Sequence, residues 1–128
     1  MIFAGYVNDD KASAVMCASD IVLMPYRHVV QSSALNYALA YLKPVLASDM
    51  GGFAEVAREY GCIETFRPED IGDLKAKLIG MLDDRSRTDA IVSRAPAYVK
   101  AVSLESVIER TDGIYERILY GRKPRKSP

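Results

Sequence analysis

A chain of 128 residues, 49% hydrophobic and 27% charged, has the size and make-up of one globular domain, long enough to bury roughly two thirds of its unfolded surface. Seventeen basic and seventeen acidic residues cancel, so no global charge draws the chain to nucleic acid or to an anionic membrane. Cys17 and Cys62 sit in the apolar contexts VMCAS and GCIETF and with a single histidine form no metal-ligand spacing, so two buried thiols in a reducing compartment are expected.

Ile2–Ala4 is a short apolar run stopped by Gly5, and Asn8-Asp9-Asp10 offers caps for a short helix from Asp10 to about Ala18. Ile21–Met24 is continuous and apolar and closes on Pro25, as expected of a strand buried on both faces. From Gln31 to Leu42 the leucines 35, 39 and 42 fall at helical spacing. Lys43-Pro44 breaks that helix, and Val45-Leu46-Ala47 reads as a second buried strand. Gly51-Gly52 leads into a helix from Phe53 to Tyr60, with Glu55 in its first turn and Gly61 in the position after its end. Cys62–Phe66 is a third short apolar run, with Glu64 pointing outward. Three helices follow, one opening at Pro68-Glu69-Asp70 and running through Leu82, then roughly 86–101 and 104–120. The last carries an apolar stripe of Val107, Ile108, Ile114, Tyr115, Ile118 and Leu119. Residues 1–120 therefore read as one α/β domain with a parallel sheet, and 121–128, GRKPRKSP, as a basic, disordered tail with at most a weak hold on anionic lipid or a partner.

No signal peptide opens the sequence, and no apolar run approaches the ~20 residues of a membrane span. A cytoplasmic setting is expected, with membrane contact at most peripheral.

In an open parallel sheet, ligands sit outside the carboxyl ends of the strands. The polar residues of interest collect there. Gln31, Ser32 and Ser33 fall at a helix N-terminus, where unpaired N–H groups attract phosphate, although Ser32 or Ser33 equally serves as an ordinary cap. Gly51 and Gly52 allow either a ligand to approach the backbone or a tight strand-to-helix turn. Arg27 and His28 follow a strand end and could grip a diphosphate, or could simply be exposed loop residues. There is no P-loop and no dinucleotide fingerprint. Paired carboxylates, a nucleophile–base–acid set and a metal cluster are also missing, so no catalytic residue and no metal are expected.

Read together, IFAGYVNDDKASAVMCASDIVLMPYRHVVQSSALNYALAYLKPVLASDMGGFAEV resembles the C-terminal half of the GT-B glycosyltransferases of family four. The matching positions are Gly5, Val7, Asp20, Pro25, Ala38, Ala40, Pro44, Val45, Ser48, Asp49, Gly51, Gly52 and Glu55, and Tyr115-Glu116 echoes the family's C-terminal tail. The resemblance implies a truncated Rossmann-like half of a GT-B fold, about four parallel strands flanked by helices, with helices at the C-terminal end. It implies binding of a UDP- or GDP-sugar donor without a metal or other cofactor, the diphosphate leaving from Gln31–Ser33 and the Gly51-Gly52 loop supporting it.

The sequence departs from the family at definite places. Many members carry two acids eight positions apart, one holding the sugar and one the ribose, where this chain has Val29 and Tyr37. PYRHVVQSS looks like a branch without that pair, although a glycine of that branch is Ser33 here and the family's glycine before the proline is Leu42. The resemblance also implies that two earlier strands, their basic pair and the whole acceptor-binding domain lie outside this chain, which alone should not catalyse transfer. The strand at Ile2–Ala4 is then expected either beside Ile21–Met24 or at a meeting of two chains. The expected partners are a nucleotide sugar and either further copies of the chain or a separate acceptor-domain polypeptide. The alternative reading is a non-catalytic glycosyltransferase-like domain that oligomerises or binds a partner.

Overall fold

The computed structural model describes Gly5 and residues 8–121. The expected strand at Ile2–Ala4, its pairing, and the tail from residue 122 lie outside the described residues.

Three short strands, β1 (Val22–Met24), β2 (Val45–Ser48) and β3 (Glu64–Phe66), form a parallel sheet in the order β1-β2-β3. Val22 stands opposite Val45, and Leu46 opposite Glu64. Parallel strands need crossovers, which α2 (Ser33–Ala40) and α3 (Gly51–Tyr60) supply; α1 (Asp9–Ala18) precedes the sheet. Beyond it run α4 (Ile71–Asp83), α5 (Arg85–Val92), α6 (Ala95–Ala101) and α7 (Leu104–Tyr120).

Every residue of β2 is buried, and its alternation divides the core. Val45 and Ala47 enter a large cluster with Met24, Leu35, Leu39, Phe53, Cys62 and Tyr98 on the side of α2, α3 and α6. Leu46 faces the other way, onto Phe66 and Met81 under α4. That second layer is narrower, and Leu23 on β1 is left 41% exposed.

The helix expected at 31–42 is shorter. Ser32 caps it, its Oγ accepting from Leu35 N at 3.3 Å, and the regular turns end at Ala40. Leu42, where the family resemblance expects glycine, sits at φ +52°, in the left-handed region that side chains resist. The single helix expected at 86–101 is two. Pro96 lacks the N–H that a continuous helix would bond to Val92, and its ring would collide with that carbonyl; the chain instead turns at Ser93-Arg94 and restarts with Pro96 in the first turn of α6. The helix expected from Pro68 begins at Ile71, with Asp70 as its cap.

Two side chains differ from expectation. Cys62 is buried but Cys17 is exposed, because α1 lies on the outside of the layer and turns that position to solvent. Glu64 leaves the core face of β3 yet is not open to water. Its carboxylate is 12% exposed, receiving Lys77 Nζ from α4 and Arg87 Nη2 from α5, each at 2.7 Å.

No helix among the described residues is long and apolar enough to cross a membrane.

Candidate functional site

The loops after β1 and β2 lie against one another. Ser48, 1% exposed at the end of β2, donates from Oγ to the carbonyl oxygen of Tyr26 at 2.7 Å. Tyr26 in turn leans on Phe53 of α3, ring centroids 5.4 Å apart. The glycine pair belongs to the same junction. A Cβ on Gly51, itself at φ +48°, would overlap the carbonyl oxygen of Val29, and one on Gly52 would stand 2.5 Å from that of Val30. Both glycines thus let the chain's own 29–30 backbone pass close to the start of α3. The close backbone approach at the glycine pair is thus made by the chain itself.

That passage delivers Gln31, Ser32 and Ser33 to the mouth of a cleft of about 660 Å³. Its inner surface is apolar and aromatic, with Leu35, Phe53, Val56, Tyr60 and Tyr98; its rim carries Gln31, Ser32, Ser33, Glu55, Glu59 and Arg110. The volume lies within the usual range for small-molecule sites, roughly 300–1,000 Å³. The N–H groups of Ser33 and Ala34 find no acceptor among the described residues, as is normal for the first turn of a helix, and they give that end of the cleft a partial positive charge. The Arg110 guanidinium makes no hydrogen bond or ion pair among the described residues, nor do the carboxylates of Glu55 and Glu59.

The far wall is fixed by Tyr98. Its hydroxyl donates to Asn36 Oδ1 of α2 at 2.6 Å, and its ring meets Tyr60 edge-on at 5.2 Å. Burial pushes the Tyr98 phenol above its ordinary range, with smaller contributions from the Cys62 and Tyr60 acids nearby. Burial likewise raises the Cys62 thiol, against a smaller lowering by a backbone hydrogen bond. Both stay neutral, as an aromatic wall requires.

The residues singled out from sequence are divided by the fold. Gln31, Ser32, Ser33 and Gly52 line the cleft, while Gly51 is tucked against Val29 behind it. Arg27 belongs to a separate hollow of about 200 Å³ at the carboxyl ends of the strands, with Tyr26, Ser48, Phe66 and Leu74, and it lies 3.7 Å from Glu69 in an exposed pair. His28 is exposed and lines neither hollow. Tyr37, at the ribose-side position, points away from the cleft and towards α1, its hydroxyl 2.8 Å from Ser13 Oγ and its ring 4.9 Å from that of Tyr41. Glu55 lies in the second turn of α3 rather than the first, since the helix already begins at Gly51. No motif points to Glu59, Tyr60, Tyr98 or Arg110. Their roles depend on α6 and α7 folding back over α2 and α3, and no local motif announces that packing. No group of three or more metal-ligating side chains occurs among the described residues.

Comparison with solved structures agrees with this architecture. Sucrose-phosphate synthase from Thermosynechococcus elongatus superposes with a TM-score of 0.77 at 17% identity, over 94% of this chain and 31% of that one. Anabaena HepE, solved in complex with UDP, superposes with a TM-score of 0.69 at 21% identity, over 82% of this chain and 29% of that one. The chain thus spans about a third of the length of each protein. No curated protein matches the sequence. The family model described as glycosyl transferases group 1 matches residues 1–84, more than half of the chain, and the chain belongs to that family.

Proposed function

We propose that the chain is the donor-binding part of a GT-B glycosyltransferase of family four, holding the diphosphate of a UDP- or GDP-sugar in the cleft at the start of α2. The observation that carries this reading is the start of α2 at a cleft of about 660 Å³, which Ser33 lines with its N–H unpaired among the described residues. A developing diphosphate there meets fixed donors that need no reorganisation, so the charge of the leaving group is stabilised as it forms. That HepE was solved with UDP supports a nucleotide as the ligand class. The acceptor side, and with it transfer itself, is to come from outside these residues, in a separate polypeptide or domain.

The alternative, a non-catalytic glycosyltransferase-like domain, draws on Val29 and Tyr37. Where acids would hold sugar and ribose, one side chain packs against the core and the other is engaged with α1. Calorimetric titration with UDP and GDP separates the two readings. Ser33→Pro is the informative variant. Residue 33 is the first of the helix, where proline is favoured, and Ser32 before it already has the extended backbone (φ −138°, ψ 112°) that proline demands. The variant removes one N–H donor and leaves the helix intact. Nucleotide binding by the parent chain, weakened about tenfold or more in Ser33→Pro, supports the donor reading. No binding of either nucleotide at millimolar concentration overturns it for this chain.

A further inference from the structure

The helix α7 carries a pattern that the cleft does not use. Leu104, Ile108, Ile114, Tyr115, Ile118 and Leu119 lie between 51% and 76% exposed and share one face of a 17-residue helix. At 3.6 residues per turn they form, with Thr111, a continuous arc about 140° wide and about 25 Å long. The helix is tethered at its start, where Ser103 caps it and Ser106 Oγ donates to Lys100 O at 2.8 Å, while the apolar arc has no cover among the described residues.

The charges of α7 are sorted. On the same helical projection all four acids, Glu105, Glu109, Asp112 and Glu116, fall along one edge of the arc, and both arginines, Arg110 and Arg117, along the other. An exposed helix usually gains stability from opposite charges three or four residues apart. Here there is none. Glu105 and Glu109 are like charges at that spacing, as are Asp112 and Glu116, and no ion pair among the described residues involves the helix. The sorting therefore works against the helix on its own and suits a neighbour with the same sorting. When two identical helices lie parallel about a twofold axis, their apolar arcs meet and the acidic edge of each faces the basic edge of the other. An antiparallel pair sets acid against acid and arginine against arginine.

We propose that two copies of the chain pair through α7, parallel and in register, about a twofold axis running along the helices. The apolar arc forms the seam, and Arg110 and Arg117 of each copy face the acidic edge of its partner. Apart from Arg110, which also stands on the rim of the cleft, the residues of the pairing surface do not line it, so the proposal stands whether or not the cleft binds a nucleotide.

The test uses the full chain in sedimentation equilibrium over a range of concentrations, with circular dichroism to confirm that each variant is folded. A concentration-dependent dimer is expected, abolished by Ile118→Glu. Arg110→Glu and Asp112→Arg, the charges nearest the arc on its two edges, should each weaken pairing by roughly tenfold, since each reverses two symmetry-related rim contacts. Mixing the two variants should restore it, because every reversed charge then meets its opposite. Orientation is read from Ile118→Cys in a Cys17→Ser background treated with oxidised glutathione. Parallel register brings residue 118 beside its own copy and yields a disulfide-linked dimer, whereas antiparallel pairing brings it beside residue 104 and does not. A chain that stays monomeric at every concentration overturns the proposal, including one that associates only with a different polypeptide. So does a dimer that survives Ile118→Glu, or one whose charge-reversed variants fail to complement.

Discussion

Ser48 and Tyr26 are joined by a hydrogen bond of 2.7 Å, from the buried Oγ at the end of β2 to the carbonyl oxygen in the loop after β1. This contact holds the 25–31 segment in place before it enters α2. Ser48→Ala removes the donor and leaves the Tyr26 carbonyl without its partner in a partly buried junction, so a loss of about 0.5–1.5 kcal/mol is expected in urea unfolding. A change under half of that would show that the loop is held chiefly by the glycine pair.

Leu42 gives a prediction with an unusual sign. Left-handed backbone costs a side-chain-bearing residue about 1–2 kcal/mol, and glycine almost nothing. Comparing Leu42→Gly with Leu42→Ala cancels the loss of the partly exposed leucyl group. The glycine variant is expected to be the more stable by about 1 kcal/mol, the reverse of the usual order in a helix interior. Equal melting temperatures for the two variants would refute this.

Glu64 is expected to matter more than a surface acid. Both carboxylate oxygens are engaged at 2.7 Å and the group is largely covered, which joins β3 to α4 and α5. Glu64→Gln keeps the shape but removes the charge facing Lys77 and Arg87, for an expected loss of about 1–2 kcal/mol. The difference from the parent chain should shrink in 1 M salt, because the cations are partly exposed. A difference that does not respond to salt would argue for packing rather than charge.

Two raised acids, Tyr98 in the cleft wall and Cys62 in the core behind it, set an alkaline limit. Cys62 and Tyr98 hold their protons more tightly folded than unfolded, through burial. Between the two values the folded state binds more protons, so stability falls as pH rises. The contribution is complete below the ordinary ranges, near 8.5 for a thiol and about 10 for a phenol, and is lost above them. Denaturant midpoints measured at about pH 7, 9 and 10.5 should decline in that order, and Cys62→Ala should delay the decline to the phenol range. A stability that is level or rising across this interval would contradict the assignment.

The strands were readable because burial on both faces leaves an uninterrupted apolar run, as in Val45-Leu46-Ala47, and the glycine pair was readable because its spacing follows the strand. What escaped depended on pairs distant in sequence. Asn36 meets Tyr98, and Glu64 meets Arg87, through the packing of helices whose local patterns look like ordinary solvated ones. The break at Ser93-Arg94 is the work of Pro96, a single residue inside a stretch whose periodicity is helical on either side. Arg27 is close to Gln31–Ser33 along the chain, yet the passage at Val29-Val30 separates it into a different hollow and leaves His28 exposed outside both.

The cleft has a further property that follows from where its walls originate. The α2 and α3 side lies inside the segment that matches the family, residues 1–84, whereas Tyr98, Ala101, Val102, Val107 and Arg110 all come from beyond it. One wall lies inside the matched segment and the other outside it. On the proposed donor reading, differences in which nucleotide sugar is chosen are expected to trace to the stretch between Tyr98 and Arg110. Grafting that stretch into a relative is the direct way to move selectivity without disturbing the shared half.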